Sequence, residues 1–365
     1  MNRPLFLTTA RPAPAGTTAG AARRRDGFVI DGAGGVDVLY LDPDSPGYAA
    51  ALQSVRDCGL TAAVMTVTPN GRRHADATWQ SMKQRLVDYD AVVTRHADRM
   101  LTVRSRADLE RARREGKLGI VFTFQGAEPI GEDLDRVPLF RDAGLRVLQL
   151  THNVRNLIGD GSLEPGDAGL SRHGHALIER LEAERIVVDL AHGSARTTRE
   201  AIAAATRPLL VSHSGCRALA DSPRLLQDAV LKQLADRGGV VGIIFWPYLR
   251  AQGQQTAADV IRHVEHAITV CGEDHVGLGT DLSILPAVLT PAFREENARN
   301  IRDAIAMGAF AADRDPELFL FPSDLNSVDR FERLAGLLSA RGHTDARIAK
   351  ILGGNFARVL GDVWG

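Results

Sequence analysis

Apolar residues occur along this chain in short runs that recur at intervals and that end in glycine or in polar residues. Runs of this kind, rich in valine, isoleucine and leucine, are typical of strands that are buried on both faces of a parallel sheet. The eight runs are Phe28–Gly34, Thr61–Thr68, Gly119–Gly126, Val147–Asn153, Ile186–His192, Leu209–Gly215, Gly239–Trp246 and Val276–Leu282.

Segments with a helical spacing of apolar residues lie between most of these runs. Leu177, Ile178 and Leu181 would share one face of a helix within Ser171–Glu184. Strands that alternate with helices predict a parallel sheet, and eight repeats favour an α/β fold closed into a (β/α)8 TIM-type barrel, with extra C-terminal helices. The other predicted helices are Trp79–Arg99, Ser105–Glu115, Thr256–Val270 and Asn326–Ala340.

The same pattern divides the chain into two parts. Residues 26–365 contain no linker-like stretch and are predicted to form a single barrel domain. Residues 1–25 are rich in Ala, Arg, Thr and Pro and are predicted to be a flexible N-terminal arm. A secretory signal places its positive charge before an apolar run. Here Arg23, Arg24 and Arg25 come last in the segment, so we do not expect a signal peptide.

Composition narrows the kinds of partner. The chain has 365 residues and a formal net charge of -1, which provides no electrostatic footprint for nucleic acid or for an anionic membrane. The longest apolar stretch, Val240–Trp246, is far shorter than the ~20 residues that span a bilayer. Cys58, Cys216 and Cys271 lie far apart and form no disulfide framework. A cytoplasmic location is therefore expected.

Polar residues stand at the ends of five of the predicted strands. Barrel enzymes carry their reactive groups at the C-terminal ends of strands, so these side chains are expected to meet in one mouth. Imidazoles with a carboxylate suit zinc or a similar metal. The alternative is that the histidines are hydrogen-bonded mouth residues with no metal. The five residues are Gln125, His152, His192, His213 and Asp281.

Several segments around these residues together resemble the renal (membrane) dipeptidase family. Their order and spacing match the family over residues 26–360. The resemblance implies a barrel, a two-zinc centre, hydrolysis of dipeptides and often a homodimer. The segments are Thr151–Asn153, Val188–His192, Ser212–Ser214, Arg217–Arg224, Gly277–Asp281 and Gly353–Phe356.

The resemblance also implies roles for individual residues. His192 and His213 match the histidine ligands of one metal, and Asp281 matches a carboxylate that binds the other metal and transfers a proton. His152 matches a catalytic residue that binds the substrate and polarises it or stabilises the oxyanion. Arg224 matches the residue that holds the substrate's carboxylate.

Three of the family's metal ligands are missing here. The family's first strand ends in Asp-Gly-His-x-Asp, whereas this chain has Ala33 and Gly35 at the two ligand positions, and Gln125 replaces the bridging Glu. Two dications a few ångströms apart repel strongly unless anions lie between them. We therefore expect at most one divalent metal, most simply zinc, or none. Its candidate ligands are His192 and His213 with Asp281 or Gln125.

Two acidic residues lie near the lost ligands in the sequence. Asp37 and Glu128 are each displaced by two or three residues from a lost ligand, and the sequence does not decide whether either one replaces it. An Asn that usually follows the family's substrate arginine is Leu225 here.

Three functions remain open. The first is a metal-dependent hydrolase of dipeptides or related small amides. The second is a non-peptidase enzyme of specialised biosynthesis that uses metal-free or mononuclear acid–base chemistry in the same pocket. The third is a non-catalytic binding protein. In the first two cases the expected substrate is a small molecule whose carboxylate Arg224 holds, because an arginine fork matches a carboxylate. Alternatively, Arg224 or Arg217 pairs with Asp221 or Asp228 and shapes the loop.

Overall fold

The computed structural model describes residues 27–68 and 77–365. The predicted N-terminal arm, residues 1–25, lies outside the described residues. The boundary at residue 26 stays a prediction. The strands in chain order are β1 (Ile30–Asp31), β2 (Gly34–Gly35), β3 (Ala62–Thr66), β4 (Met100–Thr102), β5 (Leu118–Gln125), β6 (Leu145–Gln149), β7 (Val187–Asp189), β8 (Leu210–Ser214), β9 (Val240–Ile243), β10 (Val276–Leu278) and β11 (Leu282–Ser283).

Eight of these strands form one parallel sheet in the order β1-β3-β5-β6-β7-β8-β9-β10. The first and last strands of this order also approach each other, since the Gly32 amide donates to the Leu278 carbonyl oxygen at 2.9 Å. The short strands β2 and β11 pair beside this seam, Gly34 with Leu282. The sheet is therefore a nearly closed barrel, and the predicted (β/α)8 TIM-type fold is confirmed.

Helices follow most of the barrel strands, and four more follow β11 in the C-terminal part of the chain. They confirm the predicted extra C-terminal helices. The α-helices are α1 (Tyr48–Asp57), α2 (Trp79–Arg95), α3 (Arg106–Glu115), α4 (Arg136–Asp142), α5 (Arg172–Ala183), α6 (Ala195–Ala204), α7 (Asp228–Asp236), α8 (Ala257–Cys271), α9 (Pro291–Ala306), α10 (Arg330–Ala340), α11 (Asp345–Ala349) and α12 (Asn355–Trp364).

The main differences from the predicted elements lie at two helix ends. The helix predicted over Trp79–Arg99 ends at Arg95, because the chain turns there into β4, a strand that the sequence did not reveal. Strand β4 pairs with the first half of β5, at Leu118–Ile120, beside the main barrel order. The helix predicted over Asn326–Ala340 begins at Arg330.

The last helix closes the end of the barrel opposite the mouth. Phe356, Val359 and Leu360 of α12 are fully buried and belong to one apolar cluster with the residues that fill the barrel interior, such as Val64 and Val187. A second, larger cluster of buried apolar residues lies between the barrel strands and the helices that surround them. Because α12 seals one end, only the C-terminal ends of the strands remain open to a ligand. Within the described parts of the chain, no helix is long and apolar enough to cross a lipid bilayer.

Gly242 in β9 and Gly279, which directly follows β10, allow the backbone of these two strands to pass close to the backbone of Ser212. A Cβ atom on Gly242 or on Gly279 would overlap the Ser212 carbonyl oxygen. The obstacle is backbone, so it cannot rotate aside as a side chain would.

We predict that Gly279→Ala lowers the free energy of unfolding by about 3 kcal/mol or more, because the added methyl group collides with a fixed backbone atom. Urea denaturation at equilibrium measures this change. The matched control is Gly336→Ala in the exposed middle of α10, where a Cβ atom meets nothing within 4 Å. That change should stabilise the protein by about 0.5–1 kcal/mol. A Gly279→Ala protein as stable as wild type would contradict the crowding.

Candidate active site

The five candidate residues lie at or just beyond the C-terminal ends of barrel strands. His152, His192 and Asp281 each stand three residues after the end of their strand, β6, β7 and β10. Gln125 is the last residue of β5, and His213 lies within β8.

The three histidines form one cluster. The rings of His152 and His192 stack with their centroids 4.2 Å apart, and the rings of His192 and His213 meet edge to face at 4.9 Å. The Nε2 atoms of His192 and His213 are 2.9 Å apart, within hydrogen-bond distance. On its other side, His192 Nδ1 lies 2.7 Å from Asn153 Oδ1. Burial lowers the pKa of His213 well below its ordinary value, so this imidazole is neutral at neutral pH.

The buried carboxylate of Asp189 positions His213 through the hydroxyl of Ser212. Asp189 accepts hydrogen bonds from the Ser212 amide at 2.9 Å and from the Ser212 hydroxyl at 2.5 Å. The same hydroxyl lies 2.8 Å from His213 Nδ1. Asp189 also accepts from the Ala191 amide at 3.0 Å, which fixes the chain just before His192. One carboxylate therefore positions both histidines.

The opposite side of the barrel repeats this arrangement around Asp31. Its carboxylate accepts from the Thr280 amide at 2.8 Å and from the Thr280 hydroxyl at 2.6 Å. It also accepts from the Ala33 amide at 3.1 Å. The Asp281 amide in turn donates to the Ala33 carbonyl oxygen at 2.7 Å. Asp31 thus positions Asp281 as Asp189 positions His213.

Two of the mouth residues have a strained backbone. His192 has a φ of 65° and Asp281 a φ of 56°, both in the left-handed region that residues other than Gly enter uncommonly. Such residues cost on the order of 1–3 kcal/mol and cluster at functional sites. The strain turns both side chains at the points where β7 and β10 have ended.

Asp281 is poised to exchange a proton near neutral pH. Burial raises the pKa of its carboxyl group to about 7, with a smaller contribution from Asp31, while Arg224 and a hydrogen bond from Gln125 act in the opposite direction. Gln125 therefore contacts Asp281. A carboxyl group with this pKa suits general acid–base work.

Arg224 is buried beside the mouth, with only 4% of its surface exposed. Its Cζ atom lies 5.5 Å from the centre of the Tyr248 ring. Its Nε and Nη2 atoms are buried and have no hydrogen-bond partner among the described residues. Arg217, in contrast, pairs with Asp221 at 2.8 Å near the surface. Of the two arginines in this loop, Arg217 is thus the one that shapes the loop.

A small cavity of about 120 Å³ adjoins His192 and Arg224. It lies between the loop that follows β7 and the loop that carries Arg224. Ser162 and Glu164, from the segment after β6, also line it. This is an opening beside the mouth into which part of a small ligand could extend.

The donor set does not fit a two-metal centre. Ala33 and Gly35 provide no ligand side chains, and one carboxylate oxygen of each nearby acidic residue is engaged in a hydrogen bond. Asp37 accepts from the Leu285 amide at 3.0 Å, and Glu128 accepts from the Asn156 side chain at 3.2 Å. Over residues 27–68 and 77–365, no three His, Cys, Asp or Glu side chains converge as metal ligands would.

Sequence analysis missed the residues that support the site. Trp246 donates its indole N–H to the Asp281 carbonyl oxygen at 2.8 Å and stacks with Tyr248. Both lie at the end of β9, a strand whose sequence carries no histidine or carboxylate there. A search for aromatic as well as polar residues just after the strand ends would have found both.

His263 of α8 ties two of these loops together. Its Nδ1 accepts from the Cys216 amide at 3.0 Å, and its Nε2 lies 3.0 Å from the Leu249 carbonyl oxygen. Cys216 begins the loop that carries Arg224, and Leu249 follows Tyr248. A neutral imidazole satisfies both bonds, and burial lowers the pKa of His263 to about 4.

A closed parallel barrel with histidines and a carboxylate at the C-terminal ends of its strands is typical of barrel hydrolases. The membrane dipeptidase model (peptidase family M19) matches residues 43–290. The chain therefore belongs to the membrane dipeptidase family, and the predicted family is confirmed. Members of this family are metallopeptidases that use zinc.

Individual relatives agree with this assignment. A protein in the pqqA 5' region of Klebsiella pneumoniae is 29% identical over 79% of this chain and 97% of its own length. Dipeptidase verJ of Clonostachys rogersoniana is 27% identical over 79% of this chain and 67% of its own length. The crystal structure of an amidohydrolase from Pseudomonas aeruginosa is 28% identical, covers 95% of this chain and 99% of its own, and has a TM-score of 0.78.

We predict that His263 makes the protein less stable as the pH falls. The unfolded chain takes up a proton near pH 6.5, whereas the folded protein resists protonation down to about 4. Stability is therefore lost across that window, by up to roughly 3 kcal/mol. The variant His263→Gln keeps a donor and an acceptor but does not titrate. Its free energy of unfolding, measured by urea denaturation from pH 4 to 7, should fall less steeply than that of wild type. Parallel curves would show that His263 is not a buried neutral residue.

Proposed function

We propose that the protein is a hydrolase of dipeptides or related small amides whose substrate carboxylate is held by Arg224. The observation that carries this proposal is the buried guanidinium with two unpartnered nitrogen atoms, Nε and Nη2. A buried charge without hydrogen-bond partners is costly, and a carboxylate would satisfy two N–H groups in parallel. A ligand carboxylate at this place explains why the arginine is kept buried.

Acid–base chemistry in the mouth falls to Asp281 and His152. With a pKa of about 7, Asp281 can accept a proton from the water that attacks the amide carbonyl and return it to the leaving amine. His152 stacks on His192. In this proposal it donates a hydrogen bond from a ring N–H to the carbonyl oxygen of the substrate. Each step conserves the proton, and the products are a carboxylic acid and an amine.

We further propose at most one divalent metal per chain, with zinc the first choice, or none. His192 and His213 are its candidate ligands, with Asp281 or Gln125 completing the set. The 2.9 Å contact between the two Nε2 atoms bears directly on this site, because it is a hydrogen bond only when one Nε2 carries a proton, and a metal requires that neither does. Gln125, moreover, bonds with Asp281.

The same hydrogen bond favours a second candidate function. A non-peptidase enzyme of specialised biosynthesis could use the pocket for metal-free or mononuclear acid–base chemistry on a small carboxylate-bearing molecule. Asp281, His152 and Arg224 would keep the roles described above. Absence of dipeptide hydrolysis together with a ligand-dependent rise in melting temperature would shift the assignment toward this function or toward a binding protein. A homodimer and a cytoplasmic location stay predictions.

Arg224→Lys keeps the positive charge but loses the two parallel N–H groups. We predict that the variant binds a simple dipeptide such as Ala-Gln at least about tenfold more weakly, because a bidentate pair becomes a single contact. Isothermal titration calorimetry measures the change. Arg294→Lys, at an exposed arginine of α9 that does not line the cavity, is the matched control and should bind as wild type does. If Arg224→Ala binds as tightly as wild type, the carboxylate lies elsewhere.

Elemental analysis of protein purified without chelator should find no more than one equivalent of divalent metal. Dipeptides should be cleaved below the rates of about 1–10³ per second that are typical of enzymes. The triple change Ala33→His, Gly35→Asp and Gln125→Glu should recruit a second metal and raise this activity. The change at residue 35 is the tightest, since a Cβ atom there lies 3.3 Å from Ser283 Cα. The double change without it is the control and should gain less. Two equivalents of divalent metal in the wild-type protein would contradict the proposed limit of one metal per chain.

A further inference from the structure

A second buried arginine, Arg314, lies close enough to Tyr248 to act on its phenol, as Arg224 does. Arg314, from the segment between α9 and α10, is 8% exposed. Its Nη1 donates to the Pro247 carbonyl oxygen at 3.0 Å and to the Arg250 carbonyl oxygen at 3.3 Å. These bonds anchor Arg314 to the turn that carries Tyr248, directly after β9.

The aromatic rings of this region connect the two arginines. Arg314 Cζ lies 5.0 Å from the centre of the Phe310 ring, and that ring lies 5.0 Å from the Tyr248 ring. Arg224 Cζ lies 5.5 Å from the Tyr248 ring. Both positive charges lower the pKa of Tyr248, although burial raises it more. The phenol is therefore within electrostatic reach of both guanidinium groups.

Carboxylates attract each arginine only through space, Asp281 and Asp189 in the case of Arg224 and Asp315 in the case of Arg314. In Arg314, as in Arg224, Nε and Nη2 are buried and have no hydrogen-bond partner among the described residues. Neither side chain forms an ion pair with a carboxylate of the described chain. Two desolvated like charges with four unpartnered nitrogen atoms form an arrangement that a folded protein maintains only at a cost.

We propose that Arg314 is a second anion-binding residue of the mouth, so that the ligand carries another anionic group besides the carboxylate held by Arg224. The corresponding substrate class is a small dicarboxylate, such as a dipeptide with an acidic C-terminal residue. This proposal rests on the proposed role of Arg224.

Packing against an aromatic ring does not by itself account for Arg314. Arg294 also lies over a phenylalanine ring, 5.1 Å from the centre of Phe319, but its side chain is exposed at the surface. Arg314 makes the same kind of ring contact while its Nε and Nη2 are removed from water. Removing them from water requires a compensating partner, which a ring alone supplies poorly.

The test compares two dipeptides that differ only in one charge, Ala-Glu and Ala-Gln. Isothermal titration calorimetry measures both dissociation constants for wild type, Arg314→Met, Arg314→Lys and the control Arg294→Met. Wild type should bind Ala-Glu about tenfold or more tightly than Ala-Gln, because hydrogen bonds to charged groups are the stronger ones. Arg314→Met should abolish this preference without weakening Ala-Gln, Arg314→Lys should restore part of it, and Arg294→Met should leave it unchanged.

The outcomes separate this proposal from the role of Arg224. Equal binding of the two dipeptides by wild type, or equal weakening of both by Arg314→Met, would overturn the second anion site. If Arg224→Lys still weakens Ala-Gln in that case, the proposed function stands. Should Arg314→Met fail to fold, as judged by its melting curve, the preference of Arg314→Lys decides: a ratio of one counts against the proposal, and a reduced ratio above one supports it.

Discussion

Two buried carboxylates, each spanning neighbouring strands, hold the mouth of this barrel in shape. Asp31 bonds to Thr280 across the seam between β1 and β10, and Asp189 bonds to Ser212 across β7 and β8. In each case the hydroxyl residue directly precedes a mouth residue, Asp281 or His213. A carboxylate can accept several hydrogen bonds at once, so a single buried side chain fixes two strand ends. The barrel could close without these bonds, but the reactive side chains would have no defined direction.

The mouth combines this rigidity with local strain. His192 and Asp281 keep a left-handed backbone that costs free energy. They keep it because the residue directly before each of them, Ala191 or Thr280, is hydrogen-bonded to one of the two carboxylates. The folded state is therefore less stable than it would be without the left-handed backbone that presents this imidazole and this carboxyl group. Burial then adjusts their chemistry, and it raises the pKa of Asp281 to about 7.

The loss of metal ligands and the retention of the arginines change the balance of charge in the mouth. A family centre with two zinc ions would bring much positive charge to this place, and carboxylates would have to offset it. In this chain Ala33, Gly35 and Gln125 remove that demand. The buried positive charge comes instead from Arg224 and Arg314, which an anionic ligand can neutralise. Under the proposed function, the pocket is organised around recognition of anions more than around a metal pair.

The sequence alone determined the eight barrel strands, because a strand buried on both faces must be apolar throughout, and that pattern is local. It also placed Gln125, His152, His192, His213 and Asp281 at strand ends. It did not reveal β4, a strand of three residues that pairs with β5 beside the main barrel order. Only the tertiary structure decided which side chains meet. It brought His192 next to His213 and Gln125 next to Asp281. It also placed Arg314 near Arg224, although the two are ninety residues apart in the chain. Such contacts depend on how loops from separate strands pack over one mouth, and no local pattern of apolar and polar residues encodes that packing.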